Sequence, residues 1–143
     1  MATVSVYNHT ASVLAFGSAQ AFDTAVQLCS ALTFNAADTT LSGMTFTELS
    51  TANGYTQGGA FLQNTSSGIV STDDGTLDAD DVVWTASGSG ISATHALVMN
   101  YSSLLGQIPL FVIDFGGTLT ATAGNDFRII WDSTDHIIRI NKV

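Results

Sequence analysis

The side chains best suited to chemistry in this sequence are scattered. One segment is dense in carboxylates, Asp73-Asp74-Gly75-Thr76-Leu77-Asp78-Ala79-Asp80-Asp81. Carboxylates are hard oxygen ligands that suit calcium. The spacing is not that of an EF-hand loop, because no glycine stands at the sixth position and no glutamate at the twelfth. The segment therefore reads as a solvated acidic loop, with a cation site between subunits as the alternative. The three histidines, His9, His95 and His136, lie far apart and show neither H-x-x-x-H nor H-E-x-x-H spacing. His95 falls in an apolar alternation and reads as a hydrogen-bonded core or interface residue. His136 beside Asp135 reads as a surface pair.

Nucleophiles fare no better. Cys29 is the single cysteine, so no internal disulfide forms. It reads as a small buried residue on a strand, with no local base to activate it. Gly88-Ser89-Gly90 sits in a loop rather than at a strand-to-helix elbow. Glu48 is the sole glutamate, and paired carboxylates for glycoside hydrolysis cannot be assigned from spacing. Gly54-Tyr55-Thr56-Gln57-Gly58-Gly59 lacks the lysine of a phosphate-binding loop and opens no helix. The aromatics Trp84, Trp131, Tyr55, Tyr101 and Phe115 would suit a carbohydrate platform, though Trp84 and Trp131 fit packing better. Three Asn-x-Ser/Thr triplets, at Asn8, Asn64 and Asn100, carry no weight without a secretory signal. No catalytic, cofactor or metal residue is assigned.

The elements that would position these residues are strands. Thr3–Tyr7 alternates, with Val4 and Val6 on one side. Thr10 to Gly17 fits either a short helix capped by Thr10 or a second strand, with the short helix or turn preferred. Asp23–Ala31 alternates, with Val26 and Leu28 against Gln27 and Cys29. Leu32–Leu49 reads as a long connection with at most one helical turn. Asn53-Gly54 is a strong turn dipeptide, followed by a strand over Gly59–Leu62. Asn64–Asp81 reads as a loop. Val82–Ala86 and Ile91–Tyr101 read as strands. Three apolar runs, Leu110–Phe115, Phe127–Trp131 and Ile137–Ile140, are bounded by Gly116-Gly117, Gly124-Asn125-Asp126 and Asp132–Asp135. They predict a closing antiparallel meander that supplies much of the core, with Pro109 at a strand start.

Eight or nine short strands and almost no helix predict an all-β fold, an antiparallel β-sandwich or jelly roll with long loops and at most one or two short helices. At 143 residues a single domain, 1–143, is expected. Residues 1–9 are an alternative N-terminal arm that pairs with a neighbouring subunit.

Charged residues make up 10% of the chain and hydrophobic residues 45%. Typical domains carry about 25% charged residues. Either Ser, Thr, Asn and Gly keep the surface soluble, or much of it is covered by other molecules, since few charges is what the core of an interface shows. The net charge of −9, from 12 acids against three bases, disfavours nucleic acid and anionic membranes as direct partners. No basic-then-apolar leader opens the sequence, and no apolar run approaches the roughly 20 residues of a spanning helix. Synthesis in a reducing cytoplasm is expected.

The order of small motifs carries a resemblance. Glu48-Leu49 precedes Gly54-Tyr55-Thr56-Gln57-Gly58-Gly59. Asp81-Val82-Val83-Trp84 follows, then Ile113-Asp114-Phe115-Gly116, then Phe127-Arg128-Ile129-Ile130-Trp131. The pattern E-L … G-Y-x-x-G-G … D-x-x-W … I-D-F-G … F-x-I-x-W … I resembles that of small virion proteins of tailed bacteriophages, and it spans roughly residues 45–140. The resemblance implies a non-enzymatic particle component without cofactors. The expected role is a capsid decoration, or cement, protein on the virion surface, made in the host bacterium's cytoplasm. Its expected partners are its own copies, as a homotrimer, and the major capsid protein. The alternative is a tail or fibre module that binds a host-surface glycan.

Overall fold

The computed structural model describes residues 1–15, 23–71, 74–102, 106–131 and 137–140. Among these, eleven strands and one short helix form an all-β, sandwich-like domain. The strands are β1 (Thr3–Val6), β2 (Thr24–Thr33), β3 (Thr45–Glu48), β4 (Ala60–Phe61), β5 (Ser66–Ser71), β6 (Asp74–Asp78), β7 (Val82–Thr85), β8 (Ile91–Ser102), β9 (Gly106–Ala121), β10 (Asp126–Ile129) and β11 (Ile138–Ile140). The helix α1 covers Thr10–Ala15, and a single 3-10 turn covers Leu41–Gly43.

The main sheet has the order β1-β9-β8-β2-β3, with β4 also pairing β2. All its pairings are antiparallel. β7 and β10 form a two-stranded ribbon, and β5, β6 and β11 form a third, small sheet. The alternation read in β2 and β8 holds, but both sets of side chains are covered. Val26, Leu28, Ala96 and Val98 pack in one cluster with Val82, Trp84, Phe127 and Ile129 of the ribbon. Cys29, Leu97, Met99 and Val112 form a second cluster on the opposite face, with Tyr7 and the partly buried Leu41, Met44 and Phe46. Period-2 patterning with apolar residues in both registers is what a strand covered on both faces requires.

The closing segment differs from the expected meander. Its three runs do not pair with one another: β9 pairs β8 and β1, β10 pairs β7, and β11 pairs β6. The glycine pair Gly116-Gly117 does not end a strand. It lies inside β9, where the register jumps from His95↔Asp114 to Ala93↔Leu119. Residues 115–118 are thus accommodated opposite a single position of β8, a bulge that glycine eases. Phe115 packs its ring on Phe127 at 5.9 Å.

Three further expectations need correction. Residues 64–81 are not a loop, since β5 and β6 form a hairpin there. The connection over 32–49 contains β3, which adds to the edge of β2. Thr10 begins α1 but does not cap it: its hydroxyl donates to the Leu110 carbonyl at 2.6 Å and ties the helix to β9. Residues 1–9 contribute β1, which here lies on β9 of its own chain at the sheet's edge. Among the described residues no helix is long and apolar enough to cross a membrane.

Candidate functional site

The edge of β2 is covered in two pieces. β4 pairs with Ala25 and Val26, and β3 pairs from Cys29 onward. The backbone groups of Leu28 face the gap between them. Its carbonyl accepts from Leu49 N–H at 2.9 Å. Its N–H donates to the Tyr55 hydroxyl at 3.1 Å. A buried backbone donor left without a partner would be costly, so a side chain completes the ladder.

Tyr55 reaches that position through the turn before it. Asn53 and Gly54 both take positive φ, 55° and 93°, as a two-residue hairpin turn demands. The turn returns Tyr55 to bond Ala52 in both directions. A Cβ on Gly54 would collide with the Thr85 carbonyl, and one on Gly59 with that of Val26. The glycines therefore let this loop lie against backbone on both sides.

The Tyr55 hydroxyl donates onward to Glu48 Oε1 at 2.7 Å, and Gly58 N–H donates to the same oxygen at 2.6 Å. Gly58 in turn offers its carbonyl to the Tyr101 hydroxyl at 3.4 Å, and that hydroxyl accepts from Gln27 Nε2 at 3.0 Å. Glu48, Tyr55, Gly58, Tyr101 and Gln27 thus form one continuous polar chain at the β3–β2–β4 junction. Burial and then the hydrogen bond to Glu48 push the Tyr55 hydroxyl well above its ordinary value. Burial also raises Tyr101. Both phenols stay protonated and serve as donors.

Two acceptors in this chain are not engaged. Both hydrogen bonds to Glu48 fall on Oε1, so among the described residues its second oxygen has no protein partner. Gln27 is 3% exposed, and its Oε1 is shut from water without a partner. An unmet buried acceptor costs about 1–3 kcal/mol. Beside them lies an aromatic pair, Phe61 and Tyr101, with ring centres 5.3 Å apart and planes at 48°. Phe61 is 48% exposed. Glu48, Gln27, Phe61 and Tyr101 share the face of the main sheet that turns away from the ribbon, while the Tyr55 ring packs on the ribbon side against Trp84 and only its hydroxyl reaches the β2 edge.

The same face holds a second juxtaposition that sequence spacing did not show. In register across four strands stand Glu48, Cys29, His95 and Asp114. His95 Nε2 lies 3.7 Å from Asp114 Oδ1, and its Nδ1 is 2.7 Å from Thr94 Oγ1. The row has the residue types of a cysteine nucleophile with a base. Its electrostatics oppose that use. Burial, then the charge of Glu48, push the Cys29 thiol up to about 12, and reactive thiols need the opposite shift.

The acidic segment is occupied with backbone. Asp78 Oδ1 accepts from Ala79 N–H at 3.0 Å and Asp81 Oδ1 from Trp131 N–H at 3.0 Å, while Asp80 Oδ2 accepts from Asn64 Nδ2 at 2.6 Å. Among the described residues no three His, Cys, Asp or Glu side chains converge as a metal would need. Asp73, His136 and the Asp132–Asp135 turn lie outside the described residues. His9 is separate from His95 and packs 6.1 Å from Tyr7.

The five aromatics singled out for a platform do not line up. Trp84 and Tyr55 are buried against each other at 5.9 Å. Trp131 bonds the Asp80 carbonyl through Nε1 at 3.0 Å. Tyr101 alone reaches an exposed aromatic neighbour, and that neighbour, Phe61, stood in a strand pattern with nothing in the sequence to mark it. Gln27 was equally unmarked, one polar residue in an alternation.

The residues of the ordered motif pattern therefore have structural tasks. Glu48, Tyr55 and the glycines latch the β2 edge, Asp81 and Trp131 join β7 to the end of β10, and Asp114 Oδ1 accepts from Gly116 N–H at 2.8 Å where β9 bulges. No family model, no curated protein and no solved structure matches this chain.

Proposed function

We propose that this chain is a non-enzymatic structural protein of a tailed-phage particle, a decoration protein that binds the outer surface of the assembled head and stabilises it. The observation that carries the reading is the apolar surface the chain leaves open. Among the described residues the outer edge of β1 has no neighbouring strand, and Val4 and Val6 on it are 61% and 56% exposed. Exposed strand edges are sites of pairing with other chains. They are notable in a chain with so few charges to keep copies apart. The particle assignment itself draws on the resemblance of the ordered motif pattern to tailed-phage virion proteins.

The mechanism is added interface. A protein that binds the assembled shell and not its dissociated subunits shifts the equilibrium towards assembly by mass action. A durable single contact needs about 1,200–2,000 Å² in total. A homotrimer at three-fold or quasi-three-fold positions presents three patches at once, so weaker contacts sum through effective concentration. β1 and the neighbouring loops are the surfaces assigned to the shell.

The test has two steps. Sedimentation equilibrium of the purified protein is expected to give three chain masses. Incubation with undecorated heads is then expected to give saturable co-sedimentation and greater resistance to heat. A lone subunit that leaves heads unbound would overturn the reading. Removal of residues 1–9 is expected to lower occupancy, and full occupancy without them would exclude β1 from the contact.

A second reading, a tail or fibre module that binds host-surface glycan, draws on the exposed Phe61 beside Tyr101. Imaging of labelled protein on virions separates the two, because a tail component is confined to one vertex and a decoration protein covers the head.

A further inference from the structure

The rim between β3 and β4 offers acceptors and aromatic faces, and its donors are already engaged. Tyr55 Oη donates to Glu48, Gly58 N to Glu48, Gln27 Nε2 to Tyr101, and Tyr101 Oη to Gly58. What is left is the second carboxylate oxygen of Glu48 and the Oε1 of Gln27, which is buried and unpartnered. A carboxylate gripped by two donors on one oxygen is held in place, so its other oxygen is fixed in direction as well.

Through Gly58 the Glu48 carboxylate is linked to Tyr101, against which the half-exposed Phe61 is tilted. Aromatic faces carry negative potential and attract cations. The chain as a whole is at −9 with three basic residues. Of these, Arg128 is on the ribbon and bonded to Asp126 at 2.7 Å. The rim therefore has negative potential with no cation of its own among the described side chains.

A ligand that fits must donate and carry positive charge. An anion is repelled by Glu48. A saccharide hydroxyl both donates and accepts, and its oxygen would look for donors that this rim has already committed. A guanidinium donates in a planar fork, accepts nothing, and stacks on aromatic rings. We propose that the rim formed by Glu48, Gly58, Phe61 and Tyr101 binds an arginine side chain of a partner protein, with the guanidinium on the Phe61 face and its N–H groups directed to Glu48.

The inference does not rest on the decoration reading, because any basic partner surface presents the same group. It tells against the glycan reading, since it assigns the Phe61–Tyr101 pair to a cation.

The experiment is a titration of the isotopically labelled full-length protein with a Gly-Arg-Gly amide peptide, followed by NMR at Phe61, Tyr101 and the Gln27 side-chain amide. The comparison peptide carries citrulline, which keeps the shape and removes the charge. The expected result is saturable shifts at these residues, at least about fivefold weaker affinity for citrulline, and weakening with added salt. The Phe61→Ala variant, whose side chain is half exposed, is expected to keep the folded spectrum and lose the response. Equal affinity for citrulline would overturn the proposal. So would a neutral disaccharide that shifts the same signals more strongly than arginine, or no saturation up to about 50 mM peptide.

Discussion

The two faces of the main sheet are closed in different ways. On one, the β7–β10 ribbon lays Trp84, Phe127 and Ile129 over Val26, Leu28, Ala96 and Val98. That contact is apolar, and its ring pairs, Trp84 with Tyr55 and Phe127, extend it to the loop before β4. On the other face a smaller cluster around Leu97, Met99 and Val112 is covered by the 3-10 turn and its flanks. Towards the β4 end that cover stops, and the Glu48–Gln27 hydrogen-bond chain takes its place. One face is built to hold the fold. The other combines holding with exposure, and exposed polar groups with unmet capacity are where a partner gains most.

The contrast can be broken from the ribbon side first. Trp84→Ala removes the largest ring of the apolar face and is expected to cost about 3–5 kcal/mol, measured by denaturant unfolding. A loss below about 1 kcal/mol would mean that the ribbon does not organise the core.

Tyr55→Phe is the next largest. It leaves Leu28 N–H and Glu48 Oε1 short of a partner while it preserves the ring packing. The expected loss is about 1–3 kcal/mol, together with faster amide exchange at Leu28. Unchanged exchange there would show that the hydroxyl is not what completes the β2 edge.

Alkaline pH addresses both faces. The Cys29 thiol is raised to about 12 by burial, then by Glu48, and Tyr7 and Tyr55 are raised by burial first. These groups are neutral when protonated, and their folded values lie above their unfolded ones. Below the unfolded thiol value, 9.0, their stabilisation is fully present. As pH climbs from about 9 towards 12 the unfolded chain ionises first, so stability falls. Thermal midpoints across that range are expected to decline, and Cys29→Ala is expected to flatten the first part of the decline. A flat profile for the unaltered protein would contradict the burial of these groups.

The smallest stability effect is expected at the rim itself. Phe61→Ala lies on a half-exposed side chain and is expected to cost less than about 1 kcal/mol, while it removes the aromatic surface a partner would meet. A cost as large as that of Tyr55→Phe would make Phe61 a structural residue and weaken the distinction between the two faces.

How much of this was legible in the sequence follows from what is local. The alternations of β2 and β8 are period-2 patterns within one segment, and the Asn53-Gly54 turn is dictated by two residues that tolerate positive φ. Pairing is not local. The runs that form β9, β10 and β11 look like a meander because they are consecutive, yet they pair with β8, β7 and β6 respectively, from earlier in the chain. Gly116-Gly117 carries the composition of a turn and serves as a bulge, because β9 resumes its pairing with β8 at Leu119 beyond it. The β5–β6 hairpin hides behind serines, aspartates and glycine, since it forms a small sheet of its own whose strands lack an apolar alternation. At the site, Glu48, Tyr55, Gly58 and Tyr101 stood out as a lone acid, aromatics and a glycine turn. Gln27 and Phe61 did not, because only the register of β2 against β4 and β8 brings them there.

The central claim is that two opposite edges of the main sheet, β1 on one side and the rim between β3 and β4 on the other, are surfaces for a partner to cover. Hydrogen exchange of the protein on undecorated heads, compared with the protein alone, tests it most directly. The account predicts slowed exchange over β1 and over the loop from Glu48 to Phe61, with the ribbon strands β7 and β10 unchanged. Slowed exchange confined to the ribbon, or an exchange pattern identical in the presence and absence of heads, would contradict it.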